Sequence, residues 1–98
     1  MDSFYEMLQE ATSVTIDLTY GDCLYFRSEI KFIDALGNRL IFPEYNKFED
    51  EGGKMSVEIY MGERILEFDE SAMTFNETDS LFIIQEQDID VEIRFQLA

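Results

Sequence analysis

Apolar and polar residues alternate along most of the chain, and this period of two constrains the fold more than any other feature. In the stretch VTIDLTY, the apolar residues from Val14 to Tyr20 occupy every second position, which predicts a strand with one buried face. Similar alternation predicts strands over residues 23–33, 39–42, 55–61, 64–69, 80–85 and 89–97, with 71–75 as a further short strand or an irregular crossing.

Residues 2–11 have a different period, since their apolar side chains recur every three or four positions, and they predict a helix. One N-terminal helix and six or seven antiparallel strands place the chain in the mainly-β or α+β class. A small barrel and a sandwich both satisfy this pattern.

Turn residues indicate how the strands pair. A two-residue turn at Gly21-Asp22 would pair Tyr20 with Cys23 and put the apolar faces of the two strands on opposite sides. We therefore expect a three-residue loop there or a bulge in the second strand. At Gly62-Glu63 a two-residue turn aligns the apolar faces directly, and the last hairpin is expected to turn across residues 86–88.

The 98 residues are sufficient for one domain with a modest core. A shift of 41 residues places VTIDLTYGDCL on MSVEIYMGERI, which indicates either a weak internal repeat or only the likeness of any two amphipathic hairpins. The first β unit would span residues 14–42 and the second 55–97. Between them, PEYNKFEDEGGK (residues 43–54) is expected to be an acidic connector.

The sequence lacks the residues that several classes of function require. The chain has no histidine and one cysteine, Cys23, and contains neither a glycine-rich phosphate loop nor a nucleophile elbow. We expect no enzyme activity, no cofactor and no metal, since EDEGG also lacks the spacing of a calcium loop. The acidic N-terminus does not resemble a signal peptide, and the single cysteine favours a reducing, cytoplasmic location.

The formal net charge of −15 opposes direct binding to nucleic acid or to an anionic membrane. The excess is concentrated after Phe42, where 15 acids face 4 bases. On an extended strand, Glu86, Asp88, Asp90 and Glu92 would share one face at spacings of roughly 6–7 Å. The outer face of the neighbouring hairpin would carry Glu58, Glu67 and Asp69.

Carboxylates at this spacing resemble the phosphates of a nucleic-acid strand. The alternative is a solvated face that keeps strand edges from aggregating. The connector adds two aromatic residues, Tyr45 and Phe48, next to the acids Glu49, Asp50 and Glu51. Either these aromatics anchor a partner that the acids attract, or Phe48 folds back as a lid over an open barrel end.

Two longer stretches, RSEIKFIDALGNRLIFP and GGKMSVEIYMGERILEFDESAM, resemble the N-terminal barrel domain that precedes the PilZ domain in flagellar-brake proteins. That family binds cyclic-di-GMP through an R-x-x-x-R box and a D/N-x-S-x-x-G box. The nearest matches are Arg27-x-x-x-Lys31 and Asp69-x-Ser71-x-x-Thr74, and the second lacks the glycine. The resemblance therefore implies a regulatory barrel adaptor without nucleotide binding.

The small size, acidity and absence of motifs are similar in kind to phage-encoded anti-restriction and anti-CRISPR inhibitors. Two functions follow as hypotheses. The first is a nucleic-acid mimic that docks on the basic groove of a DNA- or RNA-handling protein, with affinity that collapses in salt. The second is the barrel adaptor, which predicts an apolar patch and weak salt dependence. The sequence leaves a homodimer open.

Overall fold

The computed structural model describes residues 2–76 and 80–97, and within them one helix is followed by eight strands. Helix α1 spans Asp2–Glu10, and a 3₁₀ turn spans Glu70–Ala72 between the fifth and sixth strands. The strands are β1 (Ala11–Tyr20), β2 (Cys23–Lys31), β3 (Glu44–Glu49), β4 (Met55–Met61), β5 (Arg64–Asp69), β6 (Met73–Asn76), β7 (Leu81–Glu86) and β8 (Ile89–Leu97).

The strands form two antiparallel sheets. A five-stranded sheet has the order β2-β1-β8-β7-β6, and a three-stranded sheet has the order β3-β4-β5. The α+β class is confirmed, and of the two expected architectures the sandwich is correct. The barrel is wrong, because the chain divides its strands between two separate sheets instead of closing one sheet on itself.

The core lies between the inner faces of the two sheets. Val14 and Ile93 of the large sheet and Val57 and Ile59 of the small sheet are each at most 1% exposed. From α1, Phe4 inserts between the sheets, with its ring centroid 6.0 Å from that of Phe68 and 5.0 Å from that of Phe82. The helix therefore joins both sheets at the end where β1 begins.

The expected bulge in the second strand is confirmed. Tyr20 pairs with Cys23 across a two-residue turn, Thr19 pairs with Leu24, and Leu18 pairs with Phe26, so one extra residue lies in β2. This extra residue returns Phe26 to the inner face beside Leu18. The two-residue turn that joins β4 to β5 is also confirmed.

The predicted third strand and the acidic connector are wrong. Residues 39–42 form only an isolated bridge, Ile33 with Arg39, and the N–H groups of Leu40 and Ile41 donate to the carbonyl of Phe32. Residues 44–49, expected to be a loop, form β3 and pair along their whole length with β4. The strand therefore starts just after Pro43, which cannot donate to a ladder.

The 41-residue likeness extends to a single hairpin. Gly21 and Gly62 both have positive φ, 62° and 68°, in equivalent turns. Beyond the hairpin the two units differ, since β2 is bulged and the segment at residue 40 is not a strand while that at residue 81 is. The two hairpins also belong to different sheets.

Candidate functional surfaces

The outer face of the three-stranded sheet carries four carboxylates, and we call this surface the acidic face. Its inner positions are identified by the buried Val57, Ile59 and Phe68, so the alternate positions point outward. Glu58 lies directly opposite Glu67. The acidic face consists of Glu44 on β3, Glu58 on β4, and Glu67 and Asp69 on β5.

The sequence predicted that Glu58, Glu67 and Asp69 would share this face, and the register confirms their placement. Glu44 was missed because β3 was interpreted as a connector. No lysine or arginine occupies an outward position of these three strands. Lys54, just before β4, lies beside the face, with its ammonium 3.9 Å from the Asp69 carboxylate.

Local hydrogen bonds hold two of these carboxylates in place. The Tyr60 hydroxyl donates to Glu58 Oε2 at 3.0 Å, and this bond, together with burial and the negative charges of Glu58 and Glu67, raises the pKa of Tyr60. Asp69 accepts bonds from the hydroxyl and the backbone N–H of Ser71, which lower the pKa of Asp69. The bonds from Ser71 therefore favour the charged form of Asp69 on the acidic face.

The outer face of the large sheet has a mixed charge. Asp17 accepts two bonds from Arg27, at 2.7 and 3.0 Å, and the hydrogen bond from Arg27 lowers the pKa of Asp17. The cross-strand register and the alternation of side chains place both acidic and basic residues around this pair. The face therefore does not resemble a polyanion. The acids are Asp17, Glu29, Asp90 and Glu92, and the bases are Arg27, Lys31 and Arg94.

The predicted carboxylate row from Glu86 to Glu92 is wrong. The chain reverses at Gln87 and Asp88, with Gln87 at φ 56°, so Glu86 ends β7 and pairs with Ile89. Glu86 Oε1 is 3.4 Å from the backbone nitrogen of Asp69. Asp90 and Glu92 remain together, but they lie on the mixed face of the large sheet.

Tyr45 and Phe48 point to opposite sides of β3, because an odd separation along a strand reverses the side chain. Tyr45 faces inward and stacks on Tyr5 of α1, with ring centroids 4.1 Å apart. Phe48 is half-buried on the outer side, opposite Ser56 in the same cross-strand row as Asp69. It cannot be a lid over a barrel end, since the sheets form a sandwich.

Asp50 closes the β3–β4 turn, so its carboxylate has a structural use. Its Oδ1 accepts bonds from the N–H groups of Gly52 and Lys54, both at 2.9 Å. Residues 34–38 repeat this geometry, with Asp34 in the same role and a glycine at positive φ three residues later in both turns. The spacing D-x-x-G was a usable sequence signal. Glu49 and Glu51 flank the turn as exposed residues.

Burial decreases steadily toward the end of the large sheet that lies away from α1. On β1 the exposed fraction rises from 1% at Val14 to 57% at Tyr20, and on β8 from 1% at Ile93 to 38% at Ile89. The large sheet is uncovered there because β1 and β8 have ten and nine residues while the strands of the small sheet have six or seven.

We call this surface the apolar end, and it consists of Leu18, Tyr20, Tyr25, Phe26 and Ile89. A cavity of about 180 Å³ opens between the sheets beside it. Arg64 of β5 crosses the gap there and donates to the hydroxyl of Ser28. Sequence alternation could not identify this surface, because it predicts which side chains face inward but not how far the opposite sheet reaches.

No protein-family model, curated protein or solved structure matches this chain. No helix among residues 2–76 and 80–97 is long and apolar enough to cross a membrane. Within the same residues, no three carboxylates or thiols converge closely enough to hold a metal ion. The surfaces described above are therefore the features from which a function can be argued.

Proposed function

We propose that the protein is a non-catalytic, cytoplasmic binding module that presents its acidic face to a basic groove of a DNA- or RNA-handling protein. It would act there as an inhibitor that occupies the place of nucleic acid, in the manner of the anti-restriction and anti-CRISPR proteins. The observation that carries the proposal is the set of four carboxylates on one face of the small sheet, with no base among its outward positions.

The arrangement of Glu58 and Glu67 supports a use beyond solubility. Like charges directly opposite each other in a sheet lower its stability, and a polar uncharged residue at either position would solvate the face as well. The Tyr60 hydroxyl fixes one of the two carboxylates instead of neutralising it. A surface that retains this repulsion is suited to a partner whose cations relieve it.

The spacing of the acids also fits an extended cationic groove. Carboxylates two residues apart on β5 are separated by roughly 6–7 Å, and directly opposite residues on neighbouring strands are about 5 Å apart at Cβ. The small sheet therefore presents a two-dimensional array of charges. Since the bases of the large sheet's outer face lie on the other side of the sandwich, a partner can approach the array without meeting them.

The test compares two variants with the same change in net charge. The first converts the four acidic-face carboxylates to their amides. The control converts four other acids to amides, two on α1 and two on the mixed face: Glu6, Glu10, Asp90 and Glu92. Each immobilised protein is offered the nucleic-acid-binding fraction of a cell lysate, purified on heparin, at low and at high salt.

We expect the original protein and the control variant to capture the same partner at low salt and to release it at high salt. The acidic-face variant should lose the partner, with a loss of several kcal/mol in binding, since truncation of a desolvated charged contact costs about 2–5 kcal/mol. Equal losses in both variants would show a dependence on net charge alone and would contradict an assigned binding face.

A second candidate is the regulatory adaptor implied by the flagellar-brake resemblance, now on a sandwich and not a barrel. The apolar end favours it, because Tyr20 and Phe26 are 57% and 49% exposed, and Phe26 pairs with Leu18, two residues before Tyr20. A partner held by that surface would stay bound at high salt. A Tyr20→Ser/Phe26→Ser variant that releases such a partner would support the adaptor over the mimic.

A further inference from the structure

Strand β2 is the edge of the five-stranded sheet, and no described residue pairs with its outer side. The direction of its backbone groups follows from one bond beyond its end, where the N–H of Phe32 donates to the carbonyl of Thr12 at 2.8 Å. Because backbone groups alternate in direction, those of Ile30 and Ser28 also face β1. Those of Arg27, Glu29 and Lys31 point outward and are free to pair.

We propose that this edge pairs antiparallel with β2 of a second copy of the chain, with the two-fold axis passing through Ser28. In this register Arg27 of each copy lies opposite Glu29 of the other, which forms two equivalent ion pairs. Both residues direct their backbone groups outward, so the ladder forms at the same positions. The large sheets of the two copies then become one continuous sheet of ten strands.

Neighbouring registers are disfavoured by charge. Moving the axis by one residue toward the β1–β2 turn places Arg27 opposite its own copy, and moving it the other way does the same for Glu29. Like charges directly opposite destabilise a sheet. On the inner side, the register through Ser28 places the half-exposed Phe26 opposite Ile30 of the second copy. The sequence of β2 is thus complementary to itself in the register through Ser28, whereas an axis through Ile30, which would pair Glu29 with Lys31, would place Arg27 opposite Ile33, beyond the end of the strand.

Charge also explains why a chain of net charge −15 could associate with itself through this edge. Arg27 and Lys31 outnumber Glu29, so β2 has a net charge of +1, and every other described strand is neutral or negative. Repulsion between two copies is therefore weakest where their β2 edges meet. Added salt should strengthen the dimer, because it screens the remaining repulsion. The acidic faces lie on the small sheets and are not part of this contact.

Sedimentation equilibrium up to millimolar concentration and amide hydrogen exchange together test this proposal. We expect a dimer whose association strengthens with salt. The amides of Arg27, Glu29 and Lys31 should become protected from exchange as concentration rises, while amides on the outer edge of β5 should not. These readouts assign the contact to one strand edge.

Two variants test whether the dimer depends on the edge of β2 and on the proposed register. Glu29→Lys turns both ion pairs repulsive and should weaken the dimer about tenfold or more, although it lowers the net negative charge. Glu29→Pro removes an outward N–H without removing a bond to β1 and should abolish the dimer. The control Glu10→Lys makes the same change in charge on α1 and should leave association unchanged or slightly stronger.

A monomer at every concentration and salt would overturn the proposal. So would a dimer that survives both Glu29 variants, or one in which the three β2 amides exchange freely. If Glu29→Pro fails to fold, the comparison of Glu29→Lys with Glu10→Lys still tests the proposed contact, because neither of these variants replaces a ladder residue by proline.

Discussion

Replacing Glu67 by glutamine should stabilise the fold while it weakens partner binding. The carboxylate of Glu67 is exposed and lies directly opposite that of Glu58, whose bond is to Tyr60, so the substitution removes a like-charge contact and no hydrogen bond among the described residues. Cross-strand pairs of this kind change stability by about 0.2–1 kcal/mol. For a domain of this size, 1 kcal/mol shifts the melting temperature by about 4–8 °C. The expected rise is therefore roughly 1–8 °C.

Thermal unfolding at low and at high salt measures this effect, since screening by salt should remove most of the gain. Glu51→Gln, an exposed acid in the β3–β4 turn, is the matched control and should change the melting temperature little. The reasoning is refuted if Glu67→Gln lowers stability, or if it gives the same change at both salt concentrations. Either result would mean that Glu58 and Glu67 do not repel each other in the folded protein.

Three further substitutions test the fold and the face. Phe4→Ala should lower the free energy of unfolding by about 3–5 kcal/mol in denaturant titrations, because Phe4 joins both sheets. Phe48→Ala should cost only about 1–2 kcal/mol, as expected for a half-buried ring, yet reduce capture of the partner. The lowered pKa of Asp17 means that its contribution is complete above about pH 4 and is lost as pH falls through the folded value. Asp17→Asn should therefore flatten the acid limb of the stability curve.

Local patterns were sufficient to predict the hairpins of the fold. Alternation and a glycine turn gave the β4–β5 pairing, and a conflict between turn length and apolar faces gave the bulge in β2. The predicted third strand is wrong because tertiary contacts favour a different segment. RLIF has the stronger strand composition, but Pro43 follows it directly, and the polar EYNKFE forms β3 because Tyr45 stacks on Tyr5 and Lys47 pairs with Glu70 at 3.2 Å.

The candidate site was also predictable only in part, because some of its features depend on tertiary structure. Glu58, Glu67 and Asp69 share a face because their hairpin has a simple register, which the sequence shows. The row from Glu86 to Glu92 required one extended strand, which conflicts with the hairpin turn expected across residues 86–88, and the left-handed backbone at Gln87 confirms the turn. The apolar end depends on the relative lengths of two sheets, which no single stretch of sequence contains.

The two surfaces suggest a division of roles within one small domain. The outer face of the small sheet carries four acids and no base, while three of the seven bases lie on the outer face of the large sheet, where Arg27 pairs with Asp17. This separation gives the sandwich an electrostatic polarity that its total charge does not describe. In the proposed function, this polarity would orient the protein as it approaches a cationic groove, because the acidic face is the more strongly attracted surface.

The central claim is that the acidic face takes the place of nucleic acid, and a competition measurement tests it most directly. The partner captured from the heparin fraction is bound to a labelled oligonucleotide, and the protein is titrated in while anisotropy is recorded. The account predicts complete displacement of the oligonucleotide, at affinities that fall with salt, and no displacement by the acidic-face variant. A ternary complex, with protein and oligonucleotide bound to the partner together, would contradict it.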